Sequence, residues 1–257
     1  MSGEFSDQSI DHHVEAIRVF VQPLIDAQQD RIHLQEFFNR VSESQPDLFD
    51  SLVQQPGRFQ IKKQVVIRGK GKADVTTFSL TPQGPELGFP HKLPFTDDEL
   101  PWPRDLTERI ITCLQTLQGV HPSWKFVQVT KRRQVIFATG EVDSSNILRQ
   151  RFARGVPGRA VDVGVGWADD DERYIHRITL NAKRRKSVVL QEVGGVQYQR
   201  EEPTKEYGVE VVLEVANRRT AQPLDADALK IIFDHADTYY RTNVLSTLRG
   251  GGDANAP

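Results

Sequence analysis

The sequence predicts an α+β fold. It should hold a mainly antiparallel sheet covered by a long C-terminal helix, preceded by an N-terminal helical segment plus a β-hairpin. Two observations carry most of this. Apolar and polar residues alternate through Val161, Val163, Val165 and Trp167, through Tyr174, His176, Ile178 and Leu180, and through Val209, Val211, Leu213 and Val215. A period of two puts each set on one face of a strand. Further on, Leu229, Ile232, Phe233, Ala236, Tyr240, Val244 and Leu248 recur at helical spacing. That stripe is the cover a one-sided apolar sheet needs.

Taken in order, Ile10, Val14, Ile17 and Val21 repeat at helical spacing, so the chain from Ile10 to Gln54 reads as helical, interrupted at Pro23. A second helix is expected around Ile32 to Val41 and a short third around Asp47 to Val53. Phe59–Arg68 and Ala73–Leu80 are rich in Val, Ile, Phe and Thr and flank Gly69-Lys70-Gly71-Lys72, which reads as a hairpin. Thr81 to Pro103 contains six prolines, at 82, 85, 90, 94, 101 and 103. It is expected to be neither a regular helix nor a central strand. Its aromatics Phe89, Phe95 and Trp102 favour an ordered crossing over a free linker. Asp105 with Glu108 opens a helix whose stripe is Leu106, Ile110, Cys113, Leu114 and Leu117. A hairpin is expected around Lys131-Arg132-Arg133, then a helix from Ser144 to Arg154 capped by Asp143 or Ser144. The last helix should begin near Asp225 and Asp227, where its dipole favours anions, and stop at Gly250. The expected divisions are 10–81, helices plus hairpin; 82–103, proline-rich crossing or linker; 104–249, sheet with terminal helix; and 250–257, a disordered tail. A faint repeat, helices then hairpin on either side of the proline segment, is visible.

Composition excludes some classes. The 257 residues are 38% hydrophobic and 26% charged, which suits a globular protein. A net charge of −2 supplies no global field for nucleic acid or membrane. A single cysteine, Cys113, cannot form an internal disulfide and fits a reducing compartment. The first residues carry Glu4, Asp7 and Asp11 and no apolar run, so a signal peptide is not expected, and no stretch approaches a membrane span. A cytoplasmic protein is the expectation.

The motif Arg173-Tyr174-Ile175-His176-Arg177-Ile178, the strand Gly208–Val215 and the terminal helix with His235 and Asn243 resemble a sporadically distributed bacterial family of uncharacterised proteins of similar length. The resemblance covers roughly the C-terminal third, and His176 stands where the family has Asn. It implies a bacterial cytoplasmic protein and carries over no activity.

No motif assigns chemistry. Gly69-Lys70-Gly71-Lys72 lacks the spacing of a phosphate loop, and Gly164-Val165-Gly166 lies inside a strand. No histidine pair has zinc-ligand spacing, so no metal and no cofactor is expected. His176 reads as a hydrogen-bonded core residue and His235 as a residue at the edge of its stripe. Cys113 reads as a small core side chain. Arg177, Asp162, Glu210 and Glu214 point away from the apolar face, either as solvated cross-strand pairs or as a polar cleft.

Charged turns remain. Basic clusters lie at Arg68/Lys70/Lys72, Lys131/Arg132/Arg133, Lys183/Arg184/Arg185/Lys186 and Arg218/Arg219, and acidic ones at Asp169–Glu172 and Glu201/Glu202/Glu206. Whether they sort depends on Gly194-Gly195. A two-residue turn there mixes the ends of the sheet. A bulge within one strand from Ser187 to Gln199 collects the basic turns at one end. The reading leans to the bulge, because the flanking strands run about ten residues, and a basic end suits phosphate or an acidic partner. The functional expectation is a non-enzymatic binding or assembly component with a protein partner. A nucleic-acid- or phosphate-binding module, and an enzyme working on the polar face, are the alternatives.

Overall fold

The computed structural model describes residues 5, 10–25, 30–46, 48–55, 58–67, 71–92, 106–152, 163–193 and 196–249. In chain order these form β1 (Ile10–Gln22), α1 (Arg31–Ser44), β2 (Ser51–Gln55), β3 (Arg58–Ile67), β4 (Gly71–Thr81), β5 (Gly84–Lys92) and α2 (Leu106–Val120). Then come β6 (Lys125–Gly140), α3 (Ser144–Phe152), β7 (Gly164–Asp170), β8 (Tyr174–Val193), β9 (Val196–Asn217), α4 (Ala226–Tyr239), a π-helical turn (Tyr240–Val244) and α5 (Leu245–Leu248). The strands make one nine-stranded sheet in the order β2-β3-β4-β5-β1-β6-β9-β8-β7. Every neighbouring pair is antiparallel.

The order reveals a repeat. Strand β1, helix α1, the meander β2–β5 and helix α2 are followed by strand β6, helix α3, the meander β7–β9 and helix α4. In each half the last meander strand returns beside the first strand, and β1 and β6 pair with each other at the middle. The repeat expected from sequence, helices then a hairpin, has other elements and other bounds: each unit opens on a strand, and Lys125–Gly140 is a single strand, not a hairpin.

Several expectations are corrected. The first segment is a strand, not a helix. Ile10, Val14, Ile17 and Val21 fit a helical period by chance, but Ile17, Val19 and Val21 are the buried set, alternating with exposed or half-buried Arg18 and Phe20. The β-branched content is what a strand between two neighbours prefers. Residues Ser51–Gln55 form an edge strand instead of a third helix. Gly84–Lys92 is an internal strand despite its prolines. Its pairing explains this: β4 pairs only over Gly84–Gly88 and β1 only over Glu86–Lys92. Pro85 and Pro90 each sit where β5 has a neighbour on one side, so a missing N–H costs no ladder bond there. The rest of the proline segment, 93–105, lies outside the described residues, as do Gly69, Lys70, Gly155–Gly158, Asp162, Gly194, Gly195 and the tail from 250.

The charged turns change most. Lys131-Arg132-Arg133 lies in mid-strand, because Lys125–Gly140 is one strand. Lys183–Lys186 lies inside β8, with only a register shift between Arg184 and Lys186. Val193 pairs antiparallel with Val196, so β8 and β9 are two strands and not one long strand from Ser187 to Gln199, and the bulge reading fails. Glu201 and Glu202 then pair with Val188 and Ser187 as strand residues. The basic groups are therefore not gathered at one end of the sheet. Of the acidic cluster at Asp169–Glu172, Asp169 and Asp170 belong to β7 and Asp171 and Glu172 to the turn that follows, and Arg218–Arg219 lie just after β9.

Helices pack on one face. Ile17, Val19, Val21, Phe78, Phe89 and Val129 join α1, α2 and the start of α4 in one core. Val135, Phe137, Ile178, Leu180, Val211, Leu213 and Val215 join α3, the end of α4, the π turn and α5 in a second. Asp225 caps α4 by accepting from the Ala228 N–H at 2.8 Å. Apolar residues four apart from Ala236 to Leu248 drift about 40° per step on a regular α-helix. The wider π turn takes up that drift, and Tyr240, Val244 and Leu248 all stay buried. Cys113 is fully buried, and burial pushes its thiol up.

Between the two cores, at the β1–β6 junction, sits a seam of charge. Glu15 and Arg133 face each other in register. Arg133 donates to Glu15 from Nε at 2.9 Å and Nη2 at 2.5 Å, and to Asp237 of α4 at 2.8 Å. Lys131, only 4% exposed, donates to Asp237 at 2.6 Å and lies 3.8 Å from Glu15. Arg133 also lies 4.7 Å from the Tyr240 ring centre, and Lys131 lies 5.7 Å from that of Phe233. Burial alone would raise the Glu15 carboxyl, but Arg133, Lys131 and the nearby His13 outweigh it and hold it well below the usual carboxylate range.

Two outcomes follow from this packing. Glu15→Ala leaves two cations buried with one carboxylate between them and should cost about 3–5 kcal/mol in denaturant unfolding. Because the folded pKa of Glu15 is depressed, its contribution is complete above its unfolded value of about 4.3 and fades as pH falls through the folded one. Acid-induced loss of stability should therefore be shallower in Glu15→Gln than in the parent. Cys113 should react with a maleimide only at the rate of unfolding, and labelling of the native protein within minutes would contradict the packing of α2.

Candidate functional site

The sheet face opposite the described helices carries a trough of about 480 Å³ spanning six strands. Its floor follows from register. One cross-strand row reads Thr77, Gly88, Ala16, Arg132, Glu214 and Arg177 from β4 to β8. The adjacent row reads Ser79, Glu86, Arg18, Thr130, Ala216 and Ile175. Small residues at Gly88, Ala16 and Ala216 leave space between long charged ones. A Cβ on Gly88 would lie 2.8 Å from Thr77 Oγ1, so the floor depends on that glycine.

The trough is electrostatically unbalanced, with three arginines against two glutamates. Arg18 pairs with Glu86 at 2.7 Å. Arg132 approaches Glu214 only to 3.7 Å. Arg177 is exposed and has no ion-pair partner among the described residues. Arg219 stands 5.7 Å from the ring centre of Phe20, which lines the trough.

The residues singled out from sequence scatter as follows. Arg132, Arg177 and Glu214 come together in the trough. Lys131 and Arg133 face the helices in the charged seam. Glu210, though on the same sheet face as Glu214, is buried and accepts from Gln134 at 2.7 Å and Asn181 at 2.8 Å, with Lys183 at 3.2 Å. It is committed to structure. Arg184 lies 5.6 Å from the Tyr207 ring centre. Arg218 donates to the Asp171 carbonyl at 3.0 Å and so fastens the β7–β8 turn. Nothing is described of the Arg185 side chain. Sequence reading missed Arg18 and Glu86, because it assigned their strands to a helix and a crossing.

It also missed a second centre. His176 of β8 and His235 of α4 bring their Nε2 atoms to 2.8 Å. His176 Nδ1 contacts the Asp169 carbonyl at 2.6 Å and must donate to it, which fixes the tautomer. His176 stacks on Tyr239 at 4.0 Å and His235 on Tyr174 at 3.9 Å. The Tyr239 hydroxyl donates to Asp169 Oδ2 at 3.0 Å. Burial raises the Tyr239 phenol, and that hydrogen bond and the Asp169 charge raise it further. Asp171 Oδ1 accepts from the Tyr174 and Arg173 N–H groups, both at 2.6 Å, and these bonds hold its carboxyl below the ordinary range. Burial and the neighbouring His176 lower His235. The sequence signal was present only as the alternation that put His176 on the helix-facing side.

No family model, curated protein or solved structure matches the chain. Function must therefore be read from the chemistry of these two places. The trough should depend on its floor: Gly88→Leu, which fills it, should abolish any ligand-induced protection of Arg132 and Arg177 from the guanidinium reagent phenylglyoxal. Unchanged protection in that variant would mean that ligands bind elsewhere.

Proposed function

We propose that the protein is a non-enzymatic binding component that takes an acidic segment of a protein partner into the trough. The observation that carries this is Arg177, exposed on the trough wall with no ion-pair partner among the described residues, beside the loosely held Arg132. Guanidinium groups grip carboxylates bidentately and do not release protons. Glu86 and Glu214, the carboxylates present, are each engaged by an arginine. Such a set favours holding an anion over moving a proton. An open antiparallel face also offers a long shallow surface suited to an extended chain.

The nucleic-acid alternative draws on the same arginines but loses its main support, since the basic clusters at 131–133 and 183–186 are not turns at one sheet end. No described helix is long and apolar enough to cross a membrane. With the single cysteine and the family resemblance, this favours a bacterial cytoplasmic setting.

Fluorescence anisotropy of the full chain with a labelled glutamate-rich peptide, alongside a single-stranded oligonucleotide of equal charge, tests the reading. The peptide should bind, and Arg132→Glu with Arg177→Glu should weaken it by about tenfold or more, a change of ~1.4 kcal/mol. Both residues are exposed, so the variant should fold. Peptide affinity indifferent to the reversal, or tighter binding of the oligonucleotide, would overturn the proposal.

A further inference from the structure

The paired histidines point to a second site, independent of the trough and on the opposite side of the sheet. Two segments far apart in the chain converge there: the β7–β8 turn running into β8, with Asp171 and His176, and α4, with His235. One ligand atom from each residue lies within 4.8 Å of the other two. We propose that Asp171, His176 and His235 bind one divalent transition-metal ion of the zinc class.

The donor set is two imidazole nitrogens and one carboxylate, which suits zinc, iron or nickel and disfavours magnesium and calcium. The outer contacts are those a metal-ligating histidine needs. His176 gives its Nδ1 proton to the Asp169 carbonyl at 2.6 Å, so its Nε2 carries the lone pair. His235 Nε2 must then supply the proton in the 2.8 Å contact between the rings. Ion binding asks only that this proton move to His235 Nδ1, so the two rings together release none. A tetrahedral ion with bonds of about 2.0–2.1 Å to nitrogen needs donors about 3.3 Å apart, so the rings separate by about half an ångström. Their stacks on Tyr174 and Tyr239 allow that sliding while keeping each ring plane fixed.

Asp171 is preset as well. Two main-chain N–H groups hold its Oδ1 and leave Oδ2 for the ion. His176 is 2% exposed whereas Asp171 is exposed. The site is therefore closed on the protein side and open on the other, where a water or a ligand atom completes the shell. Bound metal would staple the β7–β8 turn to α4.

A second grouping, Asp30, His33 and His121, is a poorer candidate. His33 is exposed and meets His121 edge to face with ring centres 4.8 Å apart, whereas His176 is buried. This second grouping serves as the internal control.

Zinc chloride titrated calorimetrically into the metal-stripped full chain, and cobalt(II) followed by its visible absorption, test the proposal. One equivalent should bind, raise the thermal midpoint and give a cobalt band. His235→Ala and, separately, Asp171→Asn should each weaken zinc binding by about tenfold or more and lose the band, while His33→Ala changes neither. Asp171 is on the surface and asparagine keeps its turn, so at least that variant should fold like the parent, as its metal-free melting will show. No binding by the parent, binding unaltered in both ligand variants, or loss in His33→Ala overturns the assignment. None of these outcomes bears on the peptide experiment.

Discussion

The structure turns on the charged seam where β1 meets β6. Among the described residues those two strands are the one link within the sheet between its halves, and their helix-facing side carries Glu15, Lys131 and Arg133 where an apolar core would place aliphatic residues. Desolvating these groups is expensive, and each is kept only because the others and Asp237 complete its bonding. Asp237 comes from α4, so the same network fixes the position of the C-terminal helix. An apolar seam could slide by two residues with little loss. Here a slip would strand buried charge, so register is enforced.

That register builds the opposite face. The row that sets Glu15 against Arg133 also sets Ala16 against Arg132 one residue along, and places Gly88, Ala16 and Arg132 in line with Glu214 and Arg177. The trough is drawn from both repeats and exists only while they are locked together. The two faces thus divide the work. The helix side spends its charges on holding the halves in place, and the far side keeps arginines that the protein does not fully neutralise. The histidine pair lies on the helix side but apart from the seam, near the β7–β8 turn, where β8 and α4 meet.

Legibility in the sequence followed the locality of the signal. The stripe from Leu229 to Leu248, the α2 stripe around Cys113 and the alternation at 174–180 and 209–215 each concern one element against one face, and each was readable. What failed was non-local. Ile10 to Val21 satisfies two periods at once, and only pairing with β5 and β6 decides for the strand. Pro85 and Pro90 look like strand breakers until it is known that each has a paired neighbour on one side only, β4 for Pro85 and β1 for Pro90. Lys131-Arg132-Arg133 looks like a turn because three consecutive cations are costly in a central strand, and nothing local reveals that Glu15 and Asp237 will meet two of them and Glu214 the third. In the trough, Arg132, Arg177 and Glu214 were recognisable as a polar face. Arg18 and Glu86 were not, since their strands had been assigned otherwise. The approach of His235 to His176 has no sequence trace, since 58 residues, including most of β8 and all of β9, lie between them.

The central claim is that the two halves form one cooperative unit, so that the trough is a single rigid site. The protein carries its own reporters: Trp124 is buried in the first core and Trp167 packs against the second. With Trp102 replaced by Phe, removing one or the other gives single-tryptophan proteins whose fluorescence follows each half through a urea titration. The account predicts coincident transitions with the same midpoint and slope. Two separate transitions, with one half still folded while the other has melted, would contradict it.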